Sequence, residues 1–388
     1  MRVLRRVVAS AVFMALAAVP LLSGISGCAT HNYDSTAAMP AGPLPALGDV
    51  GLKQIWQRQI NLDNGERFTH AWHVGNSVYL STTFARIMRI DAKSGVLMWS
   101  YGLGAENFQI YKPIELHRDD SPAGGAPREV LVVSRGEAFV FRMETGDLAR
   151  TGHLGVSVSA NPLVIGNTLC VGGANTFYGL YLDRLGGKRW VLQAPGDLFD
   201  SAPVAVDNNV IVASKRGLLW RLNGDNGDWD WKDRKTNGDV VAGLAADGRA
   251  VYVPAMDQRV YAFAVDTGSE LWNRQLAGAL DVTPALGGPC VMVVAHGLGG
   301  VGSSLYGLAR QDGAIKWKAD DVSQVATVGE NSAWVGDNAG NLKSLSLETG
   351  EILSSTPIPG AQFFVRNPDD DNLILVTRSG MVALYQPK

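Results

Sequence analysis

Short runs of alternating apolar and polar residues, separated by turns that contain glycine, recur along most of the chain. The pattern is clear in residues 241–272, where runs at 241–245, 250–253 and 259–265 precede a fourth run that begins at Ser269. These runs are rich in Val, Tyr and Phe, which favour β-strands. The turn at 266–268 ends in a glycine, the residue that adopts positive φ most readily. The pattern predicts four short antiparallel strands.

This four-strand unit repeats, and the repeat predicts the fold. In most units the last strand carries a tryptophan a few residues after an Asp, Glu or Asn turn that contains glycine. The equivalent positions are Trp56, Trp99, Arg150, Trp190, Trp231, Trp272, Trp317 and Ser354. Their spacing is near 40–45 residues, with extremes of 37 and 51. A repeat of that length with four strands per unit is typical of a β-propeller.

The two ends of the chain supply the parts of one further unit. Residues 372–376 and 381–385 form strands that no tryptophan strand follows, whereas residues 53–60 form a tryptophan strand that no other strand precedes. Pairing the two ends would close the ring and complete the last four-stranded sheet. We therefore predict an all-β, eight-bladed β-propeller of four-stranded antiparallel blades over residues 52–388. The N-terminal strand closes the last blade, and the ring is expected to be monomeric.

The first 27 residues are typical of an export signal. Three arginines precede an apolar stretch at 7–22, and residues 25–28 (Ile-Ser-Gly-Cys) resemble the bacterial lipobox, in which the cysteine is lipidated. We expect Cys28 to be the lipidation site, and Ala29 after it favours the outer membrane in the sorting pattern that this resembles. Residues 28–51 are rich in proline and glycine and predict a flexible tether. A simple signal peptide or a short membrane anchor are the alternatives.

Charge and cysteine content exclude several classes of function. The formal net charge is −3, and loss of the three arginines in residues 1–27 with no acidic residue leaves −6. With no cluster of Lys or Arg, nucleic-acid binding is not expected. Cys170 and Cys290 fall in the second strands of units 3 and 6, which are far apart around the ring. A disulfide needs Cα atoms within about 7 Å, so we predict two buried, unpaired thiols.

No motif predicts catalysis, a metal or a cofactor. Residues 297–302 match G-x-G-x-x-G, but a strand follows them, whereas a dinucleotide site requires a helix. His70 and His73 are three residues apart on a predicted strand and therefore point to opposite faces. The acidic run 225–230 lacks the ligand spacing of an EF-hand and occupies a turn position of the repeat. We expect no enzyme activity, no metal and no cofactor.

One loop is a candidate partner-binding site. Residues 195–200 (Pro-Gly-Asp-Leu-Phe-Asp) join unit 3 to unit 4 and place two large apolar residues among turn formers. An exposed tip formed by Leu198 and Phe199 would anchor a protein partner. The alternative is that Phe199 packs into the ring.

The repeat resembles the PQQ-like β-propeller repeat family over residues 52–388. Together with the lipobox and the tether, it resembles the propeller lipoproteins of the outer-membrane β-barrel assembly machine. That resemblance implies a non-enzymatic scaffold in the outer membrane, facing the periplasm, that binds the central barrel-inserting component of that machine. In that family, the connector after the fourth tryptophan-type strand contacts the partner through Leu and Arg residues. Leu198 matches the apolar part, but residues 193–200 contain no arginine.

Two other functions remain open from the sequence. A quinoprotein-like, PQQ-dependent oxidoreductase would share the fold, although such enzymes often have an adjacent cysteine pair that this chain lacks. A generic envelope binding lipoprotein for a polymer or another protein complex would use exposed aromatic residues. Its candidates are the tryptophans outside the repeat position, which are Trp72, Trp220, Trp229 and Trp334.

Overall fold

The computed structural model describes residues 44–104, 108–116, 128–297 and 302–388. These residues form eight four-stranded antiparallel sheets, which confirms the predicted eight-bladed β-propeller. In each sheet the strands follow one another in chain order, with the closing sheet as the single exception. No helix in the described ranges has the length and apolar character needed to span a bilayer.

The strands of blades 1–4, numbered along the chain, come in consecutive groups of four. They are β2 (Phe68–Val74), β3 (Ser77–Thr82), β4 (Arg86–Asp91) and β5 (Leu97–Gly102) in blade 1; β6 (Ile114–Leu116), β7 (Glu129–Ser134), β8 (Glu137–Arg142) and β9 (Leu148–His153) in blade 2; β10 (Leu163–Ile165), β11 (Thr168–Gly172), β12 (Ala174–Tyr181) and β13 (Lys188–Leu198) in blade 3; and β14 (Val204–Val206), β15 (Asn209–Ala213), β16 (Leu218–Asn223) and β17 (Trp229–Lys235) in blade 4.

Blades 5–7 follow the same order. They are β18 (Ala245–Ala246), β19 (Ala250–Ala255), β20 (Arg259–Ala264) and β21 (Glu270–Gln275) in blade 5; β22 (Ala285–Gly287), β23 (Cys290–His296), β24 (Ser303–Ala309) and β25 (Ile315–Asp320) in blade 6; and β26 (Gln324–Val328), β27 (Ser332–Gly336), β28 (Asn341–Ser346) and β29 (Ile352–Pro357) in blade 7.

Blade 8 is built from both ends of the chain, as predicted. It contains β30 (Ala361–Arg366), β31 (Leu373–Thr377) and β32 (Met381–Pro387), and its outer strand is β1 (Leu52–Gln59). β1 runs antiparallel to β32, from the pair Leu52 and Pro387 to the pair Gln59 and Met381. The N-terminal strand therefore closes the ring.

The hydrophobic core lies between the blades. The middle strands are buried on both faces, as in β19, where all six residues are buried. The buried residues form eight clusters that each join neighbouring blades; one cluster, for example, combines Ile211 and Leu219 of blade 4 with Val251 and Phe263 of blade 5. Each blade can therefore remove its apolar faces from water only by packing against its two neighbours.

Six tryptophans of the repeat link one blade to the next. Each indole N–H donates to a backbone carbonyl of the following blade at 2.7–3.1 Å. The pairs are Trp56 with Ala92, Trp99 with Met143, Trp190 with Gly224, Trp231 with Val265, Trp272 with Arg310, and Trp317 with Leu347. Each ring also lies on a turn glycine of that blade, where φ is positive and a Cβ would approach ring atoms to 2.4–2.7 Å. The repeat therefore requires glycine at this turn.

The junction between blades 7 and 8 has Ser354 in place of tryptophan, and a segment before β1 fills it. A 3₁₀ turn, η1 (Gly48–Val50), packs there with Leu47 and Val50 buried. The indole N–H of Trp334 donates to the Val50 carbonyl at 2.6 Å. Contacts with the propeller thus extend back to Leu44, so the expected tether boundary at residue 52 lies too late in the chain.

The tryptophans outside the repeat position differ in exposure. Trp229 is 52% exposed, and Trp72 is half-buried and stacks on His70 at 5.3 Å between ring centroids. Trp220 and Trp334 are buried, so they are not candidates for an exposed binding surface. Both pack in blade-to-blade clusters, which a sequence pattern based on one repeat position does not reveal.

Two further expectations concern single strands. Cys170 lies in β11 and Cys290 in β23, so both buried thiols occupy second strands of blades 3 and 6, as predicted. The strand predicted at 241–245 is shorter in the structure, where β18 contains only Ala245 and Ala246. The segment before β18 bonds to blade 4 instead, with the Leu244 N–H donating to the Ala202 carbonyl at 3.3 Å.

Two sequence expectations fall outside the described residues. They concern Cys28 with the rest of residues 1–43, and residues 298–301 of the glycine motif. β23 ends at His296 and β24 begins at Ser303, so a strand follows the motif, as predicted.

We expect Trp231→Ala to destabilise the protein by about 3–5 kcal/mol, because it removes a buried ring and its hydrogen bond. Trp229→Ala, two residues away on β17, is the matched control, since Trp231 is 6% exposed and Trp229 is 52% exposed. The control should change the free energy of unfolding by less than about 1 kcal/mol. Chemical denaturation measures both, and equal losses would contradict the assigned role of the repeat tryptophan.

Candidate partner-binding surface

The antiparallel order of the strands defines two faces of the ring. The connectors between blades and the turns between second and third strands lie together on one of them, which we call the connector face. Hydrogen bonds show this arrangement directly: the Lys215 N–H in a turn of blade 4 donates to the Leu198 carbonyl at 2.7 Å. The Val240 N–H of the next connector donates to the Lys215 carbonyl at 2.7 Å. Connectors and turns thus alternate around this face.

Leu198 and Phe199 lie on the connector face, but they differ in exposure. Leu198 ends β13 and is 36% exposed. Phe199 is fully buried, with its ring 5.6 Å from that of Phe177 and 5.8 Å from that of Trp220. The expected two-residue apolar tip is therefore corrected: the chain presents Leu198, and Phe199 anchors the loop in the core between blades 3 and 4.

A buried carboxylate holds this loop in place. Asp197 Oδ1 accepts the N–H of Leu198 at 2.8 Å and the N–H of Arg216 at 3.0 Å. The Ser159 hydroxyl donates to the Phe199 carbonyl at 2.7 Å. Among the described residues, Asp197 Oδ2 has no hydrogen-bond partner. The backbone around Leu198 is therefore fixed by two neighbouring segments, the turn at Arg216 and the connector at Ser159, which reduces the entropy that binding would cost.

Basic residues flank Leu198, although the loop itself contains none. Lys215 and Arg216 occupy the turn of blade 4 that bonds to this loop, and Arg216 is exposed. Lys215 Nζ lies 3.6 Å from Asp200 Oδ2. The sequence pattern did not reveal these two residues because they belong to a different unit from the loop at 195–200. Assigning each turn of the repeat to a face would have identified them.

A groove of about 610 Å³ lies on the connector face near blades 2 and 3. Phe108, Tyr111, Val156 and Val158 supply its apolar lining, and the guanidinium of Arg135 lies 4.1 Å from the Phe108 ring centroid. The Tyr111 hydroxyl donates to the Val158 carbonyl, and burial raises the pKa of this tyrosine. The connector that supplies Val156 and Val158 also contains Ser159, whose bond to Phe199 links the groove to the Leu198 loop.

A second charged cluster involves the inner strands of blades 8 and 1, the turn after β30 and the connector before β6. His73 Nε2 is 3.8 Å from Asp370 Oδ2, and burial lowers the pKa of His73 despite this carboxylate. Burial also lowers the pKa of Lys112 and of Arg366. The cluster combines acids and bases, and the described ranges contain no group of three or more His, Cys, Asp or Glu side chains arranged to hold a metal ion.

We expect Asp197→Ala to loosen the Leu198 loop, because two backbone N–H groups lose their acceptor. Amide hydrogen exchange at residues 198 and 216 should become at least about tenfold faster. Asp197→Asn is the matched control, since its side-chain oxygen can still accept both bonds, and exchange there should stay near the wild-type rate. Unchanged exchange in Asp197→Ala would contradict this role.

Comparison with known proteins identifies the family. A sequence model described as outer membrane protein assembly factor BamB matches residues 51–237 and 230–368. The protein of that name from Yersinia pestis is 27% identical over 388 aligned residues, which cover 93% of this chain and 95% of that protein. Its namesake from Burkholderia pseudomallei is 28% identical over 172 residues, covering 42% of this chain and 43% of that protein.

Solved structures show the same fold. The crystal structure of BamB from Moraxella catarrhalis has a TM-score of 0.65 at 16% identity, covering 86% of this chain and 97% of that one. A quinohemoprotein alcohol dehydrogenase from Pseudomonas putida has a TM-score of 0.60 at 13% identity, covering 88% and 77%. The fold alone is therefore shared by an assembly factor and an enzyme. The sequence match over most of the propeller shows that this chain belongs to the family of outer membrane protein assembly factor BamB.

Proposed function

We propose that this protein is a non-enzymatic scaffold lipoprotein that acts in the assembly of outer-membrane proteins. Lipidated Cys28 anchors it to the outer membrane on the periplasmic side. Its connector face binds a partner protein, which the family resemblance suggests is the central barrel-inserting component of the assembly machine. The observation that carries the proposal is an exposed Leu198 held on a rigid loop beside Arg216.

The chemistry of this surface indicates what the partner presents. Binding hot spots combine a buried apolar anchor with arginine or aromatic residues. Leu198 supplies the anchor, Arg216 and Arg135 supply exposed guanidinium groups, and Phe108 supplies a ring that is 45% exposed. The complementary partner surface has an apolar pocket bordered by Asp or Glu. In a chain of net charge −3, this basic region is a local feature.

The rigid ring and the lipid anchor have separate roles. A single acylated cysteine with several chains holds the protein at the membrane and raises its local concentration near a membrane partner. Fifteen residues separate Cys28 from Leu44, the first residue with described propeller contacts. At about 3.5 Å per residue, an extended tether reaches roughly 55 Å. That length lets the ring reach periplasmic parts of a partner.

A generic envelope binding lipoprotein is the second candidate. The groove of about 610 Å³, with Phe108 exposed at its edge, favours this function because such a groove accepts a peptide or a polymer end. A PQQ-dependent oxidoreductase shares the fold alone. The two candidates differ in their partner, so recovery of the partner from cells separates them.

We expect Leu198→Asp to reduce partner binding by roughly 30-fold, the loss for a hot-spot residue worth about 2 kcal/mol. Leu271→Asp is the matched control, because Leu271 is 38% exposed on the outer strand of blade 5. The measurement is in-cell crosslinking and recovery of the central barrel-inserting component with full-length bait. Thermal unfolding of both variants checks their folding.

Each result decides between the candidates. Recovery with wild type and Leu271→Asp but not with Leu198→Asp supports the scaffold and its surface. Recovery that is equal in all three rejects the surface but keeps the scaffold. No recovery with wild type rejects the assembly role, and the generic binding lipoprotein then becomes the leading candidate.

We expect Cys28→Ser to move the protein from the membrane fraction to the soluble periplasmic fraction, because serine cannot form the thioether that carries the lipid. The unfolding temperature should not change, since position 28 precedes the residues that pack on the propeller. Fractionation and mass spectrometry of the mature N-terminus provide the measurement. A variant that stays with the membrane would contradict lipidation as the anchor, and Cys170→Ser is a control for general thiol effects.

A further inference from the structure

A cavity of about 470 Å³ lies on the outer rim of the ring, between blades 2 and 3. Blade 2 contributes Arg150 and Thr151 of β9. Blade 3 contributes the turn between its third and fourth strands together with the residues beside it. The lining residues from blade 3 are Tyr181, Asp183, Arg184, Leu185, Gly187 and Lys188. None of them lines the groove on the connector face.

The cavity exists because this junction lacks the repeat tryptophan. Arg150 occupies its position, but the guanidinium turns back to its own blade, where Nη2 donates to Glu129 Oε2 at 3.1 Å. At the other junctions, an indole N–H donates to a backbone carbonyl of the next blade. Leu182 is the equivalent residue in blade 3, because its N–H makes the same backbone hydrogen bond as those residues do, here to the Asn167 carbonyl. No indole in the described part of the chain reaches the Leu182 carbonyl, because position 150 is arginine. Leu185 packs against Gly152 and fills part of the space that remains.

Positive charge surrounds this space. Three of the lining residues are basic and one, Asp183, is acidic. The Arg184 guanidinium lies 4.1 Å from the Tyr181 ring centroid, and Lys188 Nζ lies 5.4 Å from that of Tyr178. Cation–π contacts of this kind restrain long side chains while their polar ends stay accessible. The cations are therefore positioned at the cavity and not dispersed in solvent.

Arg150 retains unused hydrogen-bonding capacity. A guanidinium has five N–H donors, and Glu129 takes one of them. Its Nε is buried and has no acceptor among the described residues. A buried donor without an acceptor raises the free energy of the folded state, so an additional acceptor at this guanidinium would be favourable.

We propose that this rim cavity binds a phosphate-type oxyanion. Arginine forks suit the tetrahedral oxygens of phosphate, and a lysine adds a point charge. Three cations against Asp183 and the nearby Glu129 leave an excess of positive charge for a dianionic group. Thr151 and the Tyr181 ring provide further polar and apolar contact. A soluble phosphate compound and a phospholipid headgroup share this chemistry. The site is independent of the proposed function.

The test uses the full-length protein mixed with phosphatidylcholine nanodiscs. Amide spectra are recorded while inorganic phosphate is added at constant ionic strength. We expect saturable shifts at residues 150, 151, 184 and 188. The double variant Arg184→Ala/Lys188→Ala should bind at least about tenfold more weakly, because it removes two of the three cations. Lys232→Ala, which removes an exposed lysine on β17, should bind like wild type.

Arg150→Trp gives a second, opposite test. It restores the repeat residue, so the indole should occupy the cavity, keep or raise the unfolding temperature and abolish the phosphate-dependent shifts. Binding like wild type in the folded Arg150→Trp protein would overturn the proposal. Unchanged affinity in the double variant would also overturn it.

Nanodiscs that contain phosphatidylglycerol, without added phosphate, distinguish the two sources. Shifts at the same residues in these discs assign the site to an anionic headgroup. Shifts that need added phosphate assign it to a soluble compound. The absence of saturable shifts under both conditions would refute the site, and it would leave the partner-binding surface at Leu198 untouched.

Discussion

The contact between one indole and the next blade is the interaction on which this ring depends. A single four-stranded sheet has two apolar faces and cannot bury either one alone. Each repeat tryptophan lies on the turn glycine of the following blade and donates to its backbone, so it fixes both the distance and the rotation between blades. Because most of the blade junctions share this geometry, the ring is a rigid support for its loops.

The two junctions without tryptophan show that the same gap can be used in different ways. Between blades 7 and 8, η1 and Trp334 fill the space, and the segment before β1 becomes part of the core. Between blades 2 and 3, Arg150 turns away, and a charged cavity remains. Departures from a repeat are informative because the intact junctions show what each position would otherwise contain.

The fold could be predicted from the sequence because the repeat is a local property. The spacing of tryptophans and turn glycines indicated the number of blades, and the unmatched strands at the two ends indicated the closure between β1 and β32. Side-chain exposure in the loops was harder to predict from the sequence. Phe199 and Trp220 pack against each other across a blade junction, and that contact depends on the curvature of the ring.

The candidate surface also required the structure, for the same physical reason. The sequence identified Leu198, and its loop contains no arginine. Arg216 lies beside that loop because the turn between β15 and β16 and the connector after β13 meet on one face. Leu198 and Arg216 belong to different units of the repeat, so their proximity becomes visible only when the blades are arranged around the ring axis.

The closure between β1 and β32 has a consequence for the order of events during biogenesis. Synthesis produces β1 before any other strand of the ring, but its partner β32 follows only after all the other blades. Until then, β1 is an unpaired strand and the blade stack has two open ends, both prone to pairing with other chains. The ring can therefore close only after β32 has emerged. Factors that shield unpaired strands would therefore act on this protein before its ring closes.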